Sequence, residues 1–203
     1  MDATDFLQAL NTAWFAPRDH VERIILTAAV LTTALEQAGM RATLVGGAAV
    51  EFYVPGAYTT TDLDFVVEGR TREALDEVFK KLGLERRGRH WIRGDLYVEV
   101  PGNRMTDPAE EFPVGPLTLR VIRKESLLAE RIVGFRHWKY WGHGQQAIDM
   151  IQAFGYEIDE TFLRDHLRKE GAEEAYEQLK ALAASSEPIT SQTLDALWHR
   201  RYG

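Results

Sequence analysis

Two stretches of the chain decide the fold: Leu44–Ala49, with the sequence Leu-Val-Gly-Gly-Ala-Ala, and Thr60–Val67, with the sequence Thr-Thr-Asp-Leu-Asp-Phe-Val-Val. The first stretch predicts a short strand that turns at Gly46 and Gly47 into a helix. A phosphate group can approach a backbone without side chains closely, and the first N–H groups of a helix are suitable donors for it. Gly46 and Gly47 are therefore candidate nucleotide-binding residues.

The second stretch predicts a strand whose alternate side chains share a face. Asp62 and Asp64 then lie on one face, and Leu63, Phe65 and Val67 lie on the other, where they can pack on a core. Carboxylates roughly 7 Å apart at Cα can reach the same cation, and without a cation they would repel. The alternative is that both aspartates are solvent-facing residues of an ordinary half-exposed strand. Together with the glycine turn, the pattern favours a metal site.

A later strand, Asp95–Val100, repeats the alternation and carries Glu99. If this strand lies beside the first one, Glu99 joins Asp62 and Asp64. Three carboxylates, together with water and phosphate oxygens, form a site suited to Mg²⁺ or Mn²⁺. Asp95 lies on the same face of this strand and is the alternative third ligand.

The order of the predicted elements divides the chain into two parts. Strands alternate with helices over residues 1–123, which predicts an α/β (α+β) core, and residues 124–203 have a helical pattern throughout. Breaks between these later helices are expected near Gly142, Gly155, Gly171 and residues 185–188. The predicted helices of the core span residues 4–15, 17–39, 48–54 and 71–82, and the predicted strands span residues 41–45, 63–68, 90–92, 95–100 and 117–122.

Composition excludes several classes of protein. The formal net charge is −7, from 24 basic and 31 acidic residues, which argues against a protein coated for nonspecific nucleic-acid binding. The absence of cysteine excludes disulfides, zinc-thiolate sites and thiol nucleophiles. The acidic amino terminus does not resemble a secretory signal, and no apolar run approaches the roughly 20 residues that span a bilayer. We therefore expect a cytoplasmic protein with no membrane partner.

The run Val45–Gly47 followed by Asp62–Asp64 resembles the signature of the DNA polymerase beta superfamily of nucleotidyltransferases. With Ala49 and Thr60 included, it is also similar to the small bacterial nucleotidyltransferase-like proteins that include the abortive-infection toxin group. The resemblance implies a mixed sheet flanked by helices. It also implies transfer of a nucleoside monophosphate from a triphosphate such as ATP onto a hydroxyl.

By this resemblance, Asp62, Asp64 and the carboxylate of the third strand, Glu99, are the metal ligands and catalytic residues. The chain departs from the relatives at two positions. Several of them carry Arg four residues before the first aspartate, where this chain has Tyr58. The commoner third ligand is Asp, where this chain has Glu99. The first departure concerns the handling of substrate phosphate, and the second concerns metal geometry.

A further segment, Val121–Arg131, is similar to the pattern Ser-x-Glu-Asp-Leu-x-x-x-Lys/Arg of such relatives. The resemblance implies that Arg131 points its guanidinium at the triphosphate and is therefore a nucleotide-binding residue. The alternative is a helix-surface ion pair between Arg131 and Glu130.

The leading hypothesis is a metal-dependent nucleotidyltransferase whose acceptor is an RNA, a protein or a small molecule. One alternative is a catalytically inactive protein that binds a nucleotide or another protein. Another is the same chemistry in the toxin of a toxin-antitoxin pair, which would have an antitoxin as its partner.

Overall fold

The structure is a computed structural model that describes residues 1–202. The chain forms two compact units, the first spanning Met1–Arg123 and the second beginning at Lys124. The first unit contains a sheet and its helices. Its elements are α1 (Ala3–Leu10), a π-helical turn (Asn11–Phe15), α2 (His20–Gln37), β1 (Arg41–Val45), α3 (Gly46–Tyr53), β2 (Asp62–Glu68), α4 (Arg72–Lys81), β3 (Glu85–Arg87), β4 (His90–Arg93), β5 (Leu96–Gly102), β6 (Ala109–Val114) and β7 (Leu117–Ile122).

The sheet has seven strands in the order β3-β4-β5-β2-β1-β7-β6. It is mixed, because β1 is antiparallel to β2 but parallel to β7, and β2 is parallel to β5. The predicted α/β fold with a mixed sheet flanked by helices is confirmed. The order places β2 between β1 and β5, so the residues just before the glycine turn, the aspartates and Glu99 lie on three neighbouring strands.

Helix α2 packs on β1 and β7 through one apolar face. Ile24, Ala28, Leu31 and Leu35 recur on that face and are fully buried. The carboxylate of Asp19 caps the helix by accepting hydrogen bonds from two N–H groups of its first turn. This helix therefore covers the part of the sheet that β1 and β7 form.

Apart from shifts at the ends of other elements, the structure differs from the sequence prediction in two strands and in the start of one helix. Strand β3 was not expected because all three of its residues are exposed and charged, so no apolar alternation marks it. Strand β6 contains Pro113, which an edge strand tolerates and a central one does not. Helix α3 begins at Gly46 rather than at Ala48, because the glycines form its first turn instead of preceding it.

The second unit is helical, as the sequence pattern indicates. The break expected near Gly142 lies earlier, because Lys139 has a left-handed φ of 50° that ends the preceding helix. No helix of the part of the chain that the structure describes is long and apolar enough to cross a membrane. The elements are α5 (Lys124–Trp138), α6 (Trp141–Phe154), a 3₁₀ turn (Gly155–Glu157), α7 (Glu160–Lys169), α8 (Glu173–Ala183) and α9 (Ser191–Tyr202).

Candidate active site

The glycine turn connects β1 directly to α3. Gly46 has a φ of 68°, a conformation that other residues rarely adopt. A Cβ at this position would overlap Oδ2 of Asp64 and lie 3.1 Å from its Cβ. Glycine is therefore required at position 46 both by the backbone and by the close approach of the Asp64 side chain.

The second glycine lies under an aromatic ring. A Cβ at Gly47 would lie 2.8 Å from Cε1 of Tyr58 and 3.3 Å from Oγ1 of Thr60. The Tyr58 ring thus covers the turn at the position where several relatives carry Arg. The chain's own side chains account for both glycines, so the need for glycine does not by itself identify a phosphate site.

Strand β2 has the alternation that its sequence predicts. Leu63, Phe65 and Val67 are fully buried, whereas Asp62 and Asp64 are half-buried on the opposite face. This confirms that the two aspartates share one face of the strand. That face borders the start of α3, because Asp64 contacts the glycine turn.

The threonines before β2 fix its first residue. Thr61 Oγ1 donates a hydrogen bond of 2.8 Å to Oδ1 of Asp62. Thr60 Oγ1 donates to the Asp62 carbonyl oxygen at 3.1 Å and accepts from the Asp62 N–H at 3.4 Å. These local bonds hold the backbone and the carboxylate of Asp62 in one orientation.

Strand register aligns the third acidic residue with the second. Asp64 pairs with Val45 of β1 on one side and with Glu99 of the parallel strand β5 on the other. Side chains paired on neighbouring strands point to the same face of the sheet, and the strands lie about 4.8 Å apart. The prediction that the strands carrying the aspartates and Glu99 are neighbours is confirmed.

Glu99 has two basic partners. Its Oε2 lies 3.2 Å from Nε2 of His90 and 3.4 Å from Nε of Arg89. Residues 89 and 90 reach it because His90 pairs with Glu99 across the β4–β5 hairpin. Among the residues that the structure describes, no group of three or more His, Cys, Asp or Glu side chains is arranged to hold a metal ion.

Carboxylate oxygens are the donors that Mg²⁺ and Mn²⁺ prefer, and Mg²⁺ keeps several waters when one or two carboxylates bind it. Asp62 and Asp64 fit such an ion by chemistry and by their shared face. Glu99, as placed, is bound to its basic neighbours. The alternative third ligand, Asp95, lies in the hairpin turn, where its Oδ1 accepts a hydrogen bond of 2.8 Å from Nε1 of Trp14.

Arg131 lies within α5 of the second unit and is 4% exposed. Its Nη1 donates a hydrogen bond of 2.8 Å to Nε2 of His143 on α6, and the same atom lies 3.7 Å from Oε1 of Glu130. The ion pair with Glu130 that the alternative predicts is present, but the guanidinium is buried rather than exposed on the helix surface, and its shorter contact is to His143. The nucleotide-binding role of Arg131 stays a prediction.

Sequence reasoning missed three neighbours of the candidate site residues: Tyr58 over the glycine turn, His90 beside Glu99 and His143 beside Arg131. A signal existed for His90. The hairpin was expected to turn at Arg93 and Gly94, whereas β4 ends at Arg93 and β5 begins at Leu96, so the turn is Gly94–Asp95. A two-residue turn at that place puts His90 opposite Glu99. Tyr58 and His143 make contacts that no local pattern encodes.

The fold is similar to that of known nucleotidyltransferase-like structures. No protein-family model and no curated protein matches the sequence. The chain is similar to the antibiotic-resistance factor ANT(2'')-Ia, with a TM-score of 0.51 and 15% identity over 78% of this chain and 98% of that chain. It is also similar to an antigenic nucleotidyltransferase-like protein from Paracoccidioides brasiliensis, with a TM-score of 0.54 and 17% identity over 87% of this chain and 96% of that chain. At these identities the likeness establishes a nucleotidyltransferase-like fold.

Proposed function

We propose that the protein is a nucleotidyltransferase that moves a nucleoside monophosphate from a nucleoside triphosphate onto a hydroxyl of an RNA, a protein or a small molecule. The observation that carries this proposal is the position of Asp64. Its carboxylate lies against Gly46 at the start of α3 and is in register with Glu99 on the neighbouring strand. The nucleotidyltransferase-like fold supports the same chemistry.

Each candidate residue has a role in this reaction. Asp62 and Asp64 bind Mg²⁺ or Mn²⁺, which would neutralise charge on the phosphates. The N–H groups at Gly46 and Gly47 bind phosphate oxygens. The family resemblance makes Arg131 a further candidate nucleotide-binding residue.

Glu99 orients the acceptor hydroxyl and takes its proton. The hydroxyl oxygen forms a bond to the α-phosphorus, the bond from that phosphorus to the bridging oxygen breaks, and pyrophosphate leaves. His90 and Arg89 hold the Glu99 carboxylate in the row that contains Asp64. The rate enhancement would come mostly from alignment of the reacting groups and from neutralisation of charge on the phosphates.

The test is label transfer from each α-labelled nucleoside triphosphate, with Mg²⁺ or Mn²⁺, to cell RNA, cell protein and a small-molecule extract. We expect transfer to one of the three, reduced by about two orders of magnitude or more in Asp64→Ala. The matched control is Glu77→Gln, which removes a carboxylate of the same unit whose side chain is 68% exposed. Transfer to none of the acceptors, or equal transfer by Asp64→Ala, would contradict the proposal.

One observation favours a second candidate, a nucleotide-binding protein without turnover. Glu99 is held by His90 and Arg89, and the described residues contain no three-residue metal cluster. Calorimetric titration with Mg²⁺ and each nucleotide separates the two functions. Tight binding in the absence of any label transfer supports the second candidate and excludes the first.

Similarity to the abortive-infection toxin group stays a prediction. Expression of the protein in a bacterial host should arrest growth if the reaction serves as a toxin, and Asp64→Ala should relieve the arrest. Normal growth of cells that contain the active enzyme would exclude the hypothesis that it is the toxin of a toxin-antitoxin pair.

A further inference from the structure

The strand register places an exposed aromatic ring beside the first aspartate of the candidate site. Tyr97 of β5 pairs with Asp62 of the parallel strand β2, in the row of residues next to the one that contains Asp64. Its side chain therefore shares the face of the sheet that carries the aspartates, one strand or about 4.8 Å away. Tyr97 is 38% exposed, whereas Leu96 and Val98 on the opposite face are fully buried.

The Tyr97 ring is bordered by an imidazole that the candidate site itself holds. The ring of His90 stands perpendicular to it, with 6.2 Å between the ring centroids. Nε2 of the same His90 lies 3.2 Å from Oε2 of Glu99. An exposed aromatic ring on the face of a sheet is a platform on which an unpaired nucleic-acid base can stack.

The hairpin of β3 and β4 is basic, and the strand register divides its arginines between the two faces of the sheet. Residues 85–93 contain four arginines and one glutamate, although the net charge of the chain is −7. Arg86 pairs with Trp91 and Arg93 pairs with Leu96, so both lie on the face opposite the aspartates. The Arg86 guanidinium lies 5.9 Å from the centroid of the Trp91 ring, and Nη1 of Arg93 donates a hydrogen bond of 3.0 Å to the Leu82 carbonyl oxygen. These two arginines therefore stabilise the hairpin.

The other two arginines lie on or beside the face that carries the aspartates. Arg87 pairs with His90, and its strand is two strands, or about 10 Å, from β5. The Arg87 side chain is 70% exposed, and its ion pair with the exposed Glu85 at 3.5 Å is of the kind that contributes little. Arg89 is in the turn between β3 and β4, where its exposed guanidinium lies 3.4 Å from Glu99. This face thus presents a ring and two exposed cations next to the carboxylates.

We propose that this face of β3, β4 and β5, which we call the basic shelf and which is lined by Arg87, Arg89, His90 and Tyr97, binds the terminal nucleotides of a single-stranded RNA. A base stacks on the Tyr97 ring, and backbone phosphates bind the guanidinium groups of Arg87 and Arg89. This placement brings a ribose hydroxyl to Glu99. That the RNA is the acceptor of the nucleotidyl group rests on the proposed function, whereas RNA binding to the shelf does not.

The chemistry of the basic shelf selects among the acceptors of the proposed reaction. A polycationic small molecule would be repelled by Arg87 and Arg89, and a protein hydroxyl brings neither a phosphate nor a base. The end of an RNA strand presents phosphates, an unpaired base and ribose hydroxyls, which match the cations, the ring and the carboxylate. The negative charge of the rest of the chain disfavours binding elsewhere on the surface.

The first experiment measures binding of a short, fluorescently labelled single-stranded RNA to the full-length protein by anisotropy, without nucleotide or divalent metal and at several salt concentrations. We expect saturable binding that Arg87→Gln weakens. The slope of log K against log salt concentration should also become shallower by about 0.7, the value for one lost phosphate contact with a single strand. Arg86→Gln is the matched control, because it removes the same charge from the adjacent residue on the opposite face. Its slope should equal that of the wild type, and equal changes in both variants would overturn the shelf.

The second experiment tests stacking on Tyr97. Tyr97→Phe keeps the ring and should retain affinity to within about twofold, whereas Tyr97→Leu should weaken binding about tenfold. A blunt RNA duplex of the same sequence should bind more weakly than the single strand, because its bases are already stacked on one another. Unchanged affinity of Tyr97→Leu, or preference for the duplex, would contradict the stacking platform. Single-stranded DNA of the same sequence should bind no more tightly than RNA, and tighter binding of the DNA would overturn the assignment to RNA.

The wild-type protein supplies a measurement that does not depend on variants folding. A single-stranded RNA with a photoreactive terminal uridine should cross-link to the tryptic peptide of residues 94–104, which contains Tyr97. Cross-links confined to other peptides would overturn the shelf. Label transfer to a protein or a small molecule without RNA binding would overturn the shelf and leave the proposed function standing. RNA binding at the shelf without transfer to any acceptor would overturn the proposed function alone.

Discussion

Replacing Gly46 by alanine tests whether the glycine turn and Asp64 share one space. A Cβ at a φ of 68° costs about 1–2 kcal/mol in backbone energy. The same Cβ would overlap Oδ2 of Asp64 and lie 3.1 Å from its Cβ, and the displacement of that side chain adds about 1–3 kcal/mol. We therefore expect Gly46→Ala to lower the free energy of unfolding by about 2–5 kcal/mol.

The chain offers a matched control in Gly39, which has a φ of 77° and no atom within 4 Å of an added Cβ. Gly39→Ala should lower the free energy of unfolding only by the backbone contribution, about 1–2 kcal/mol. Urea unfolding followed by tryptophan fluorescence measures both variants. In an Asp64→Ala background the cost of Gly46→Ala should fall by about 1 kcal/mol or more. The contact between Gly46 and Asp64 would be refuted if both glycine variants lost the same free energy of unfolding. It would also be refuted if Gly46→Ala lost as much in the Asp64→Ala background as in the wild type.

Three further measurements test other parts of the structure. Gly47→Ala should lower the free energy of unfolding by about 1 kcal/mol because of the Tyr58 ring, and the loss should disappear in Tyr58→Ala when both are measured by urea unfolding. Burial and the charge of Arg131 lower the pKa of His143 from 6.5 to about 4. As pH falls, the imidazole is therefore protonated in the unfolded chain before it is protonated in the folded one, and the free energy of unfolding decreases between these two pH values. Thermal unfolding across that range should show the decline, and His143→Gln should reduce it. Thr71→Ala removes the side-chain cap of α4 and should lower the free energy of unfolding by about 1 kcal/mol in the same urea assay, whereas no loss would contradict the capping bond.

The central strands could be predicted because their burial follows a simple period. Leu63, Phe65 and Val67 are fully buried at every second position, and β1 and β7 have the bounds that their sequence indicates. The two edge strands lack this signal, because none of their side chains is fully buried and no apolar alternation marks them. Glu85–Arg87 and Ala109–Val114 are the two edges of the sheet, and both were missed.

The candidate site was predictable in its positions but not in its contacts. The alternation placed Asp62 and Asp64 on one face, and it placed Glu99 on a further strand that would bring it to them only if the two strands were neighbours. The contacts of Glu99 with Arg89 and His90 depend on the register of a hairpin, which a shift of one residue in the turn would change. Side-chain partners of this kind are decided by tertiary packing, so a single sequence does not encode them locally.

The contact between Asp64 and Gly46 links the two halves of the proposed site. A helix N-terminus favours negative charge, and here the Asp64 carboxylate already lies against the first residue of α3. A phosphate that approaches the same N–H groups meets this carboxylate, and like charges at such a distance repel. A cation bound to Asp62 and Asp64 reverses the sign of that interaction. In the proposed function, nucleotide binding at the glycine turn would therefore be coupled electrostatically to metal binding at the aspartates, which would explain a carboxylate pair on the strand next to this turn.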